Sequence, residues 1–384
     1  MRKAKDWNQP CPNPACQHYM LINRGNISSI ATYLTKSGKR RIFSCSICGE
    51  SFSETRGTVF FDLRTEAEKV IMALKMLLVR CELTAISVVL GVTEETTLFW
   101  LERAAAKAEE INQHLLREVK VTQVQLDEMW NFIARKRSSE AVEEGESPAA
   151  AEDGRQWIWL SFAPEYRLIL AAVVGPRVLE TALLLIQITA RIVSRIPVFF
   201  SDGFSCYKEA LLCVYGQRRE FERTGKRGRP RKAIIEPNEE LVYAQLIKEK
   251  KTGRLKDLKE RVIFGAEKLI SVGWKISTSL IERVNQSFRH ALAPLVRKSR
   301  SFCKERDAMK KRVTFWTCYY NFAREHQSLR LAIPEEERAK KGLIEQKYKQ
   351  RTPGMAAKLT DHVWTFRELL TAKFEPIHFQ SISG

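Results

Sequence analysis

The chain has 384 residues, which is enough for roughly two or three domains and a substantial hydrophobic core. Lys and Arg outnumber Asp and Glu by 64 to 45, and the resulting formal charge of +19 favours a polyanionic partner such as DNA. The chain has no apolar run of about eighteen residues, and its first residues lack the apolar core of a signal peptide. We therefore expect neither a membrane span nor secretion.

Four of the nine cysteines lie early in the chain with metal-ligand spacing. The segment between the two cysteine pairs predicts two strands around a turn at Ser37 and Gly38. Two short thiolate loops can close a tetrahedral zinc site, so we expect a zinc ribbon with one structural Zn²⁺ over residues 1–62. His18 is a possible substitute ligand, but four cysteines make it unnecessary. The predicted ligands are Cys11, Cys16, Cys45 and Cys48.

Three helices are predicted next. The first opens at Thr65, which forms a capping-box pattern with Glu68; the second is short and ends at Gly91, and the third begins after Thr93. A short helix, a glycine turn and a longer helix are typical of a helix-turn-helix, although a plain helical bundle has the same outline. We expect a DNA-binding domain over residues 63–118, whose exposed candidates are Thr96, Thr97, Trp100 and Arg103.

From about residue 120 the pattern changes to apolar, β-rich runs. Three such runs are followed by an amphipathic helix and a short strand, which is the order of a ribonuclease-H-like core. Asp127 falls on the first strand, in VTQVQLDEMWNFI, and Asp202 follows the fourth, in IPVFFSDG. Burying an unpaired carboxylate costs several kcal/mol, so these apolar surroundings need an explanation. A pair of divalent metal ions held by both aspartates would provide one.

A third carboxylate, Glu282, lies in the helical stretch STSLIERVNQSFRHAL. At about 100° per residue, apolar side chains such as Ile281 and Phe288 share one face of this helix. The polar ones gather on the other face, namely Glu282, Asn285, Gln286 and Arg289. Glu282 is therefore placed to ligate a metal, although a surface salt bridge with an arginine would also explain it.

Two insertions are predicted in this α/β region: an acidic loop at 138–154 and a basic segment at about 216–264. The Arg-Gly-Arg-Pro sequence at 227–230 has the form of an AT-hook core, whose arginines can enter a narrow minor groove. A basic loop that contacts phosphates without sequence preference is the alternative. A further cationic stretch follows the Glu282 helix. The candidate DNA-contacting residues are Arg227, Arg229, Arg231, Arg283, Arg289, Arg297, Lys298 and Arg300.

The order of these motifs resembles the transposases of bacterial and archaeal insertion sequences. The cysteine ribbon, the helix-turn-helix and the segments QLDEMW, FSDG and IERVNQSFRHALAPLVRKSRSF together are similar to the insertion-sequence-one-like group of DDE transposases. The segments NFAREHQSLR and RTPGMAAKLTDHVWT resemble the C-terminal part of such enzymes, and the similarity runs over most of the chain.

The resemblance implies a multi-domain α+β fold class. It consists of the zinc ribbon (1–62), the helix-turn-helix domain (63–118), an α/β ribonuclease-H-like catalytic domain (119–330) with a basic insertion before its last helix, and a C-terminal extension (331–384). It also implies that Asp127, Asp202 and Glu282 form a catalytic triad that binds two Mg²⁺ or Mn²⁺ ions, supported by Trp130 and Arg283.

The implied reaction is cleavage of double-stranded DNA at the terminal inverted repeats of an insertion sequence. The freed 3′-hydroxyl would then attack target DNA in a transesterification that needs no ATP. A homodimer or higher synaptic complex would hold two DNA ends. The resemblance also implies a cytoplasmic, nucleoid-associated protein of a prokaryote.

Two other functions are compatible with the same modules. One is a DNA-binding regulator derived from a transposase and lacking chemistry. The other is a ribonuclease-H-like nuclease or resolvase that cuts DNA but does not join it. Three acids at these positions argue against the regulator, and two N-terminal DNA-binding modules argue against the nuclease.

Overall fold

A computed structural model describes residues 7, 9–132, 155–221, 232–251, 254–296, 303, 305–338, 340–341 and 344–375. The chain divides into two compact units. The first comprises residues 1–115, 314–319 and 364–384, and the second comprises residues 116–313 and 320–363. No helix of the described ranges is long and apolar enough to cross a bilayer.

The first unit begins with a small antiparallel sheet in the order β1-β2-β3. Its strands are β1 (Ile27–Thr35), β2 (Gly38–Cys45) and β3 (Ser51–Ser53). Gly38 allows the tight connection between β1 and β2 because its φ is 109°, a value that side-chain-bearing residues rarely adopt. The predicted hairpin therefore forms, and it brings the end of β2, with Cys45, back towards the first cysteine pair.

Three helices follow: α1 (Ala67–Leu77), α2 (Leu83–Leu90) and α3 (Glu94–Leu115). The predicted capping box at Thr65 and Glu68 is wrong, because α1 begins after Glu66 and has no side-chain cap. Gly91 ends α2 in the left-handed conformation, as the glycine turn requires. Thr93 does cap α3, since its hydroxyl accepts a hydrogen bond from the Thr96 N–H at 3.1 Å.

The second unit is built on a six-stranded mixed sheet in the order β11-β10-β7-β4-β5-β6. β4, β5 and β6 form an antiparallel meander, while β7 is parallel to both β4 and β10. The strands outside the sheet, β8 and β9, form a separate antiparallel pair. The bounds are β4 (Gln123–Phe132), β5 (Arg155–Ala163), β6 (Leu168–Gly175), β7 (Val198–Ser201), β8 (Gly216–Arg219), β9 (Ile234–Pro237), β10 (Val242–Lys251) and β11 (Arg254–Phe264).

The predicted insertion at 216–264 needs correction, because β10 and β11 belong to the central sheet. Val242 and Ala244 are buried beside Phe200 of β7, in a cluster with Leu269 and Ile276. The sequence at 248–261 is rich in charged residues, and residues 257–262 are exposed, so the sequence pattern indicated a basic insertion. The first half of β10 supplies the hydrogen-bonding neighbour that β7 needs on its far side.

Helices pack against this sheet and position the site. α4 packs on β5 and β6, and α7 packs on β4. At the other end of the chain, α10 packs on α3 of the first unit. The bounds are α4 (Leu179–Ile192), α5 (Cys206–Tyr215), α6 (Ala266–Val272), α7 (Ser279–Ala291), α8 (Arg306–Phe322), α9 (Pro353–Ala356) and α10 (Phe366–Thr371). Short two-stranded pairs, β12 (Leu331–Ala332) with β15 (Tyr348–Lys349) and β13 (Lys340–Lys341) with β14 (Ile344–Glu345), complete the second unit.

Candidate active site and cysteine cluster

The parallel pairing of β4 and β7 places two aspartates side by side. Gln125 of β4 is in register with Phe200 of β7, and Asp127 and Asp202 each lie two residues further along. Carboxylate oxygens of Asp127, Asp202 and Glu128 lie within 4.8 Å of one another. The structure therefore brings the first two predicted acids together and adds Glu128, which the sequence did not single out.

The Asp127 carboxyl is held by uncharged hydrogen-bond donors. One of its oxygens accepts the backbone N–H of Glu128 at 3.0 Å, and the other accepts the Asn285 amide at 2.6 Å. Burial raises the pKa of the Asp127 carboxyl to about 8, and the negative charges of Asp202 and Glu128 raise it further in the same direction. A divalent cation among these oxygens would offset both effects, so the donor set fits such an ion.

Glu128 is engaged in a different way. Arg177 donates from both Nε and Nη2 to one carboxylate oxygen, and the Tyr207 hydroxyl donates to the other at 3.0 Å. The Glu128 side chain is only 1% exposed, and burial together with Asp202 raises the pKa of its carboxyl. One Glu128 oxygen thus accepts two charge-assisted hydrogen bonds from Arg177, whereas each Asp127 oxygen accepts one from an uncharged donor, so Glu128 has less capacity than Asp127 to bind a metal.

Glu282 reaches the same cavity from α7 without joining the tight cluster. A cavity of about 770 Å³ is lined by Asp127, Asp202 and Glu282 together with Lys248. Glu282 accepts a hydrogen bond from the Thr278 hydroxyl at 2.8 Å and forms an ion pair with Lys248 of β10. The third predicted acid therefore faces the two aspartates across a shared cavity, and its charge is balanced by a lysine.

Two hydrogen bonds fix α7 against β4. The backbone N–H of Ile281 donates to Gln125 Oε1 at 2.9 Å, and the Asn285 amide donates to Asp127. The helical periodicity predicted that Asn285 shares the polar face with Glu282, but Asn285 is buried against the sheet. Asn285 consequently sets the orientation of the Asp127 carboxylate.

The loop that carries Asp202 is held by β10. The Asp202 carboxylate accepts the Phe204 N–H at 3.0 Å, and Ser201 shares a 2.7 Å hydrogen bond with the Tyr243 hydroxyl. Gln245 donates to Tyr243 at 2.8 Å and to the Phe204 carbonyl at 3.3 Å. Burial raises the pKa of Tyr243 to about 12, so its hydroxyl stays protonated and can keep donating in this network.

The four cysteines of the first unit form a compact thiol cluster. Their sulfur atoms lie within 4.8 Å of one another, with 3.6 Å between Cys11 and Cys48 and 3.8 Å between Cys16 and Cys45. A disulfide would bring two sulfurs to about 2 Å. Tetrahedral Zn²⁺ with Zn–S bonds of about 2.3 Å would instead separate them by about 3.8 Å, so the donor set fits Zn²⁺.

Local hydrogen bonds already favour a thiolate in this cluster. Burial opposes ionisation of Cys45, but the N–H groups of Cys48 and Ile47 and the Asn26 amide donate to its sulfur, and the net effect lowers the pKa of this thiol to about 6. Burial raises the pKa of Cys11 and of Cys16. The lowered pKa favours the thiolate form of Cys45, which is the form that ligates a metal.

The predicted DNA contacts of α3 require a correction. Thr97 is 0% and Trp100 is 1% exposed, so both belong to the hydrophobic core rather than to a free helix face. Thr96 is half-buried, and Arg103 donates to the Phe61 carbonyl at 2.7 Å. The exposed face of α3 carries Phe99 instead. α3 packs on both α1 and α2, so the side of the helix that faces them is not free to contact DNA.

The remaining predicted residues fall into two groups. Arg283 is exposed and Arg289 is half-buried on α7, and Trp130 of β4 is 46% exposed. The other candidates lie outside the described residues, namely Arg227, Arg229, Arg231, Arg297, Lys298 and Arg300. The acidic loop predicted at 138–154 also lies outside them.

The chain matches no protein-family model and no curated protein sequence. Among solved structures it is similar to the Mos1 transposase paired-end complex with left transposon end, with 14% identity, a TM-score of 0.16, and coverage of 38% of this chain and 56% of that chain. The Mos1 strand transfer complex gives 11% identity, a TM-score of 0.18, and coverage of 65% and 76% respectively. The chain thus spans little more than half of the first of these proteins. Scores this low carry no weight in assigning a function.

Proposed function

We propose that this protein is a DDE transposase that cleaves and joins DNA at the terminal inverted repeats of an insertion sequence of the insertion-sequence-one-like group. One observation carries the proposal: Asp127 within β4 and Asp202 just after the parallel strand β7 share a cavity with Glu282 of α7. This is the arrangement that the motif order implies for a metal-dependent polynucleotidyl transferase.

The sheet supports a ribonuclease-H-like core for this proposal. Three antiparallel strands, a helix and a fourth strand follow one another in the second unit, and the acids lie on the first and after the fourth. We propose a catalytic domain at 119–330 that includes β10 and β11 as core strands. A zinc ribbon at 1–62, a helix-turn-helix domain at 63–118 and an extension at 331–384 complete the proposed domain order.

Asp127, Asp202 and Glu282 would hold Mg²⁺ or Mn²⁺, and two such ions would activate the attacking oxygen and stabilise the leaving oxygen. The chain's own residues organise this site. Asn285 orients Asp127, Thr278 orients Glu282, and the backbone of Phe204 orients Asp202. Lys248 neutralises Glu282, and its ammonium would become available to a DNA phosphate once Glu282 ligates a metal.

We further propose that the cysteine cluster holds one structural Zn²⁺, which would stabilise the β1–β2 hairpin. The charge of +19 supports double-stranded DNA as the partner. A homodimer or higher synaptic complex follows from the proposed reaction, because two element ends must be held together. A nucleoid location in a prokaryotic cytoplasm is part of the same proposal, because the DNA of an insertion sequence would lie there.

The test is Mg²⁺- or Mn²⁺-dependent nicking of labelled duplex DNA taken from the flanks of the coding sequence, where the terminal repeats would lie. The native chain should nick this DNA and Asp202→Ala should not, while both bind it equally in a gel-shift assay. Nicking by Asp202→Ala at the native rate would overturn the proposed site.

One observation favours a second candidate, a DNA-binding regulator without catalysis. The Glu282 carboxylate is paired with Lys248 and lies outside the tight carboxylate cluster. If the native chain binds the flanking DNA but nicks none of it with either ion, the regulator is the correct function.

A further inference from the structure

Arg177 is a cationic group at the candidate site that the sequence did not reveal. It lies between β6 and α4, and it lines the same cavity as Asp127, Asp202 and Glu282. Its side chain is 39% exposed, whereas its partner Glu128 is buried. Arg177 therefore presents a positive charge to the cavity from a position fixed by the protein interior.

Three contacts restrain the Arg177 guanidinium. Nε and Nη2 both donate to the same oxygen of Glu128, and the other Glu128 oxygen is held by the Tyr207 hydroxyl. The Arg177 Cζ lies 4.7 Å from the centre of the Trp157 ring and 4.2 Å from that of Phe204. A guanidinium held by a buried carboxylate and two aromatic rings loses little further conformational entropy when it binds a ligand.

The guanidinium also keeps donors for a ligand. Arginine carries five N–H groups in a planar fork, and the contacts with Glu128 use Nε and Nη2 on one edge. The planar fork matches the oxygens of a phosphate group better than an ammonium does. Donors that are oriented in advance stabilise developing negative charge without reorganising during the reaction.

We propose that Arg177 binds a non-bridging oxygen of the phosphodiester that is cleaved, and that Glu128 is the residue that positions it rather than a metal ligand. This inference rests on the proposed function, since it names the contact that the same site makes with its DNA substrate. The acids of the tight cluster then have separate roles. Asp127 and Asp202 hold the metal ions, and Glu128 holds Arg177.

A purely structural role predicts a different result. If Arg177 only neutralises the buried Glu128, removing both charges together restores the site, whereas a phosphate contact stays lost. The variants are therefore Glu128→Gln, the double variant Glu128→Gln/Arg177→Met, and Arg195→Met as a matched control. Arg195 is an exposed arginine of the same unit that does not line the cavity.

We expect the double variant to keep the native melting temperature and native Mn²⁺ affinity and to lose about 100-fold in the nicking rate, mostly in kcat. Glu128→Gln should lose less than about tenfold, because Arg177 keeps its charge and its aromatic contacts. Nicking by the double variant at the native rate would overturn the proposal. A loss of Mn²⁺ affinity as large as the loss in nicking rate would also overturn it, because Glu128 would then be a metal ligand.

Binding supplies a readout that does not depend on cleavage. In Ca²⁺, the affinity of each protein is measured for end DNA with an ordinary phosphate and with a neutral methylphosphonate at the terminal phosphodiester. The native chain and Arg195→Met should discriminate between the two DNAs about tenfold more strongly than the double variant does. Equal discrimination by all three proteins would overturn the contact. If the native chain discriminates but never nicks, the proposed function fails while the contact stands.

Discussion

The cysteine cluster and the carboxylate cavity both gather metal-ligating side chains, and they do so under opposite physical conditions. The four sulfurs are close-packed and three of the four cysteines are buried, so the cluster leaves no room for a substrate. The carboxylates line a cavity of about 770 Å³ that also contains Arg177 and Lys248. A closed thiolate site is suited to a structural metal, whereas an open oxygen-donor site is suited to ions that meet a substrate.

The two regions also differ in what they contribute to stability. Thiolates around a metal link segments of the chain that have few other contacts, so metal binding adds to the free energy of folding. The carboxylates repel one another, and burial raises the pKa of Asp127 to about 8, so the candidate active site weakens the fold until a cation binds. Opposite responses to substitution are therefore the sharpest way to separate the two sites.

The largest effect is expected at the cysteine cluster. Cys11→Ser should abolish binding of one Zn²⁺ per chain and unfold the hairpin of the first unit, because structural zinc contributes about 10–16 kcal/mol in small zinc domains. Zinc content by mass spectrometry and hydrogen exchange of residues 9–53 would measure this. Cys213→Ser, at an exposed cysteine, should change neither quantity. Full zinc occupancy in Cys11→Ser would contradict a four-thiolate site.

The second largest effect is expected at Asp127, where substitution should not lower stability as it does at Cys11. Asp127→Asn should reduce metal-dependent nicking by at least about 1,000-fold, equivalent to about 4 kcal/mol of transition-state stabilisation. The same variant should unfold at an equal or higher temperature without metal, because the cost of burying an ionisable carboxyl beside Asp202 and Glu128 is removed and the amide can still contact Asn285. Calorimetry in EDTA beside the nicking assay measures both.

Asp307→Asn, at an exposed acid of α8, is the matched control for this second experiment and should leave nicking unchanged. A fall in melting temperature for Asp127→Asn as large as that for Cys11→Ser would remove the contrast between the two regions. Asp127 would then be a structural residue.

A smaller effect concerns the ion pair at the rim of the cavity. Lys248 competes with any cation for the Glu282 carboxylate. Lys248→Met should therefore bind Mn²⁺ about tenfold more tightly, equivalent to about 1.4 kcal/mol, as measured by electron paramagnetic resonance titration. Lys275→Met, an exposed lysine outside the cavity, should have the native affinity. Weaker Mn²⁺ binding in Lys248→Met would show that Glu282 does not ligate the metal.

The sequence predicted the clustering of the four cysteines more completely than the acidic site, for a physical reason. All four cysteines flank one hairpin, so spacing along the chain determines which thiols meet. The meeting of Asp127 and Asp202 could also be predicted, because β4 and β7 are adjacent parallel strands whose register places the two residues side by side. In both cases, patterns within short stretches of sequence are enough to predict which side chains meet.

The partners of these acids could not be predicted in the same way. Glu128 meets Arg177 across 49 residues and Tyr207 across 79, and nothing in the local sequence marks either pairing. Because successive side chains of a strand point to opposite faces, the pattern along β4 does not predict that the Glu128 carboxylate lies close to that of Asp127. The charged second half of β10 concealed a core strand, and core packing of Thr97 and Trp100 overrode their interpretation as DNA contacts.

The smallest expected effect is the loss of stability of the second unit in acid. Burial lowers the pKa of His326 in the second unit to about 4, with further contributions from Arg324 and Arg167. The folded pKa lies below the value of about 6.5 for an exposed histidine, so the unfolded chain takes up the proton first as the pH falls. His326 therefore costs no stability above pH 6.5, and stability is lost progressively between about pH 6.5 and pH 4.

The loss should reach about 1–3 kcal/mol at the acid end, after allowance for the partial exposure of the ring. His326→Phe should flatten this slope, since the ring can keep its edge contact with Tyr320, whose centre lies 4.5 Å away. Urea unfolding of metal-free protein at several pH values from 4.5 to 7.5 gives the measurement, with His290→Gln, at an exposed histidine, as control. The cysteine cluster is metal-free throughout, so zinc release cannot produce the slope. An unchanged slope in His326→Phe would assign the acid sensitivity of the second unit to its other titratable groups.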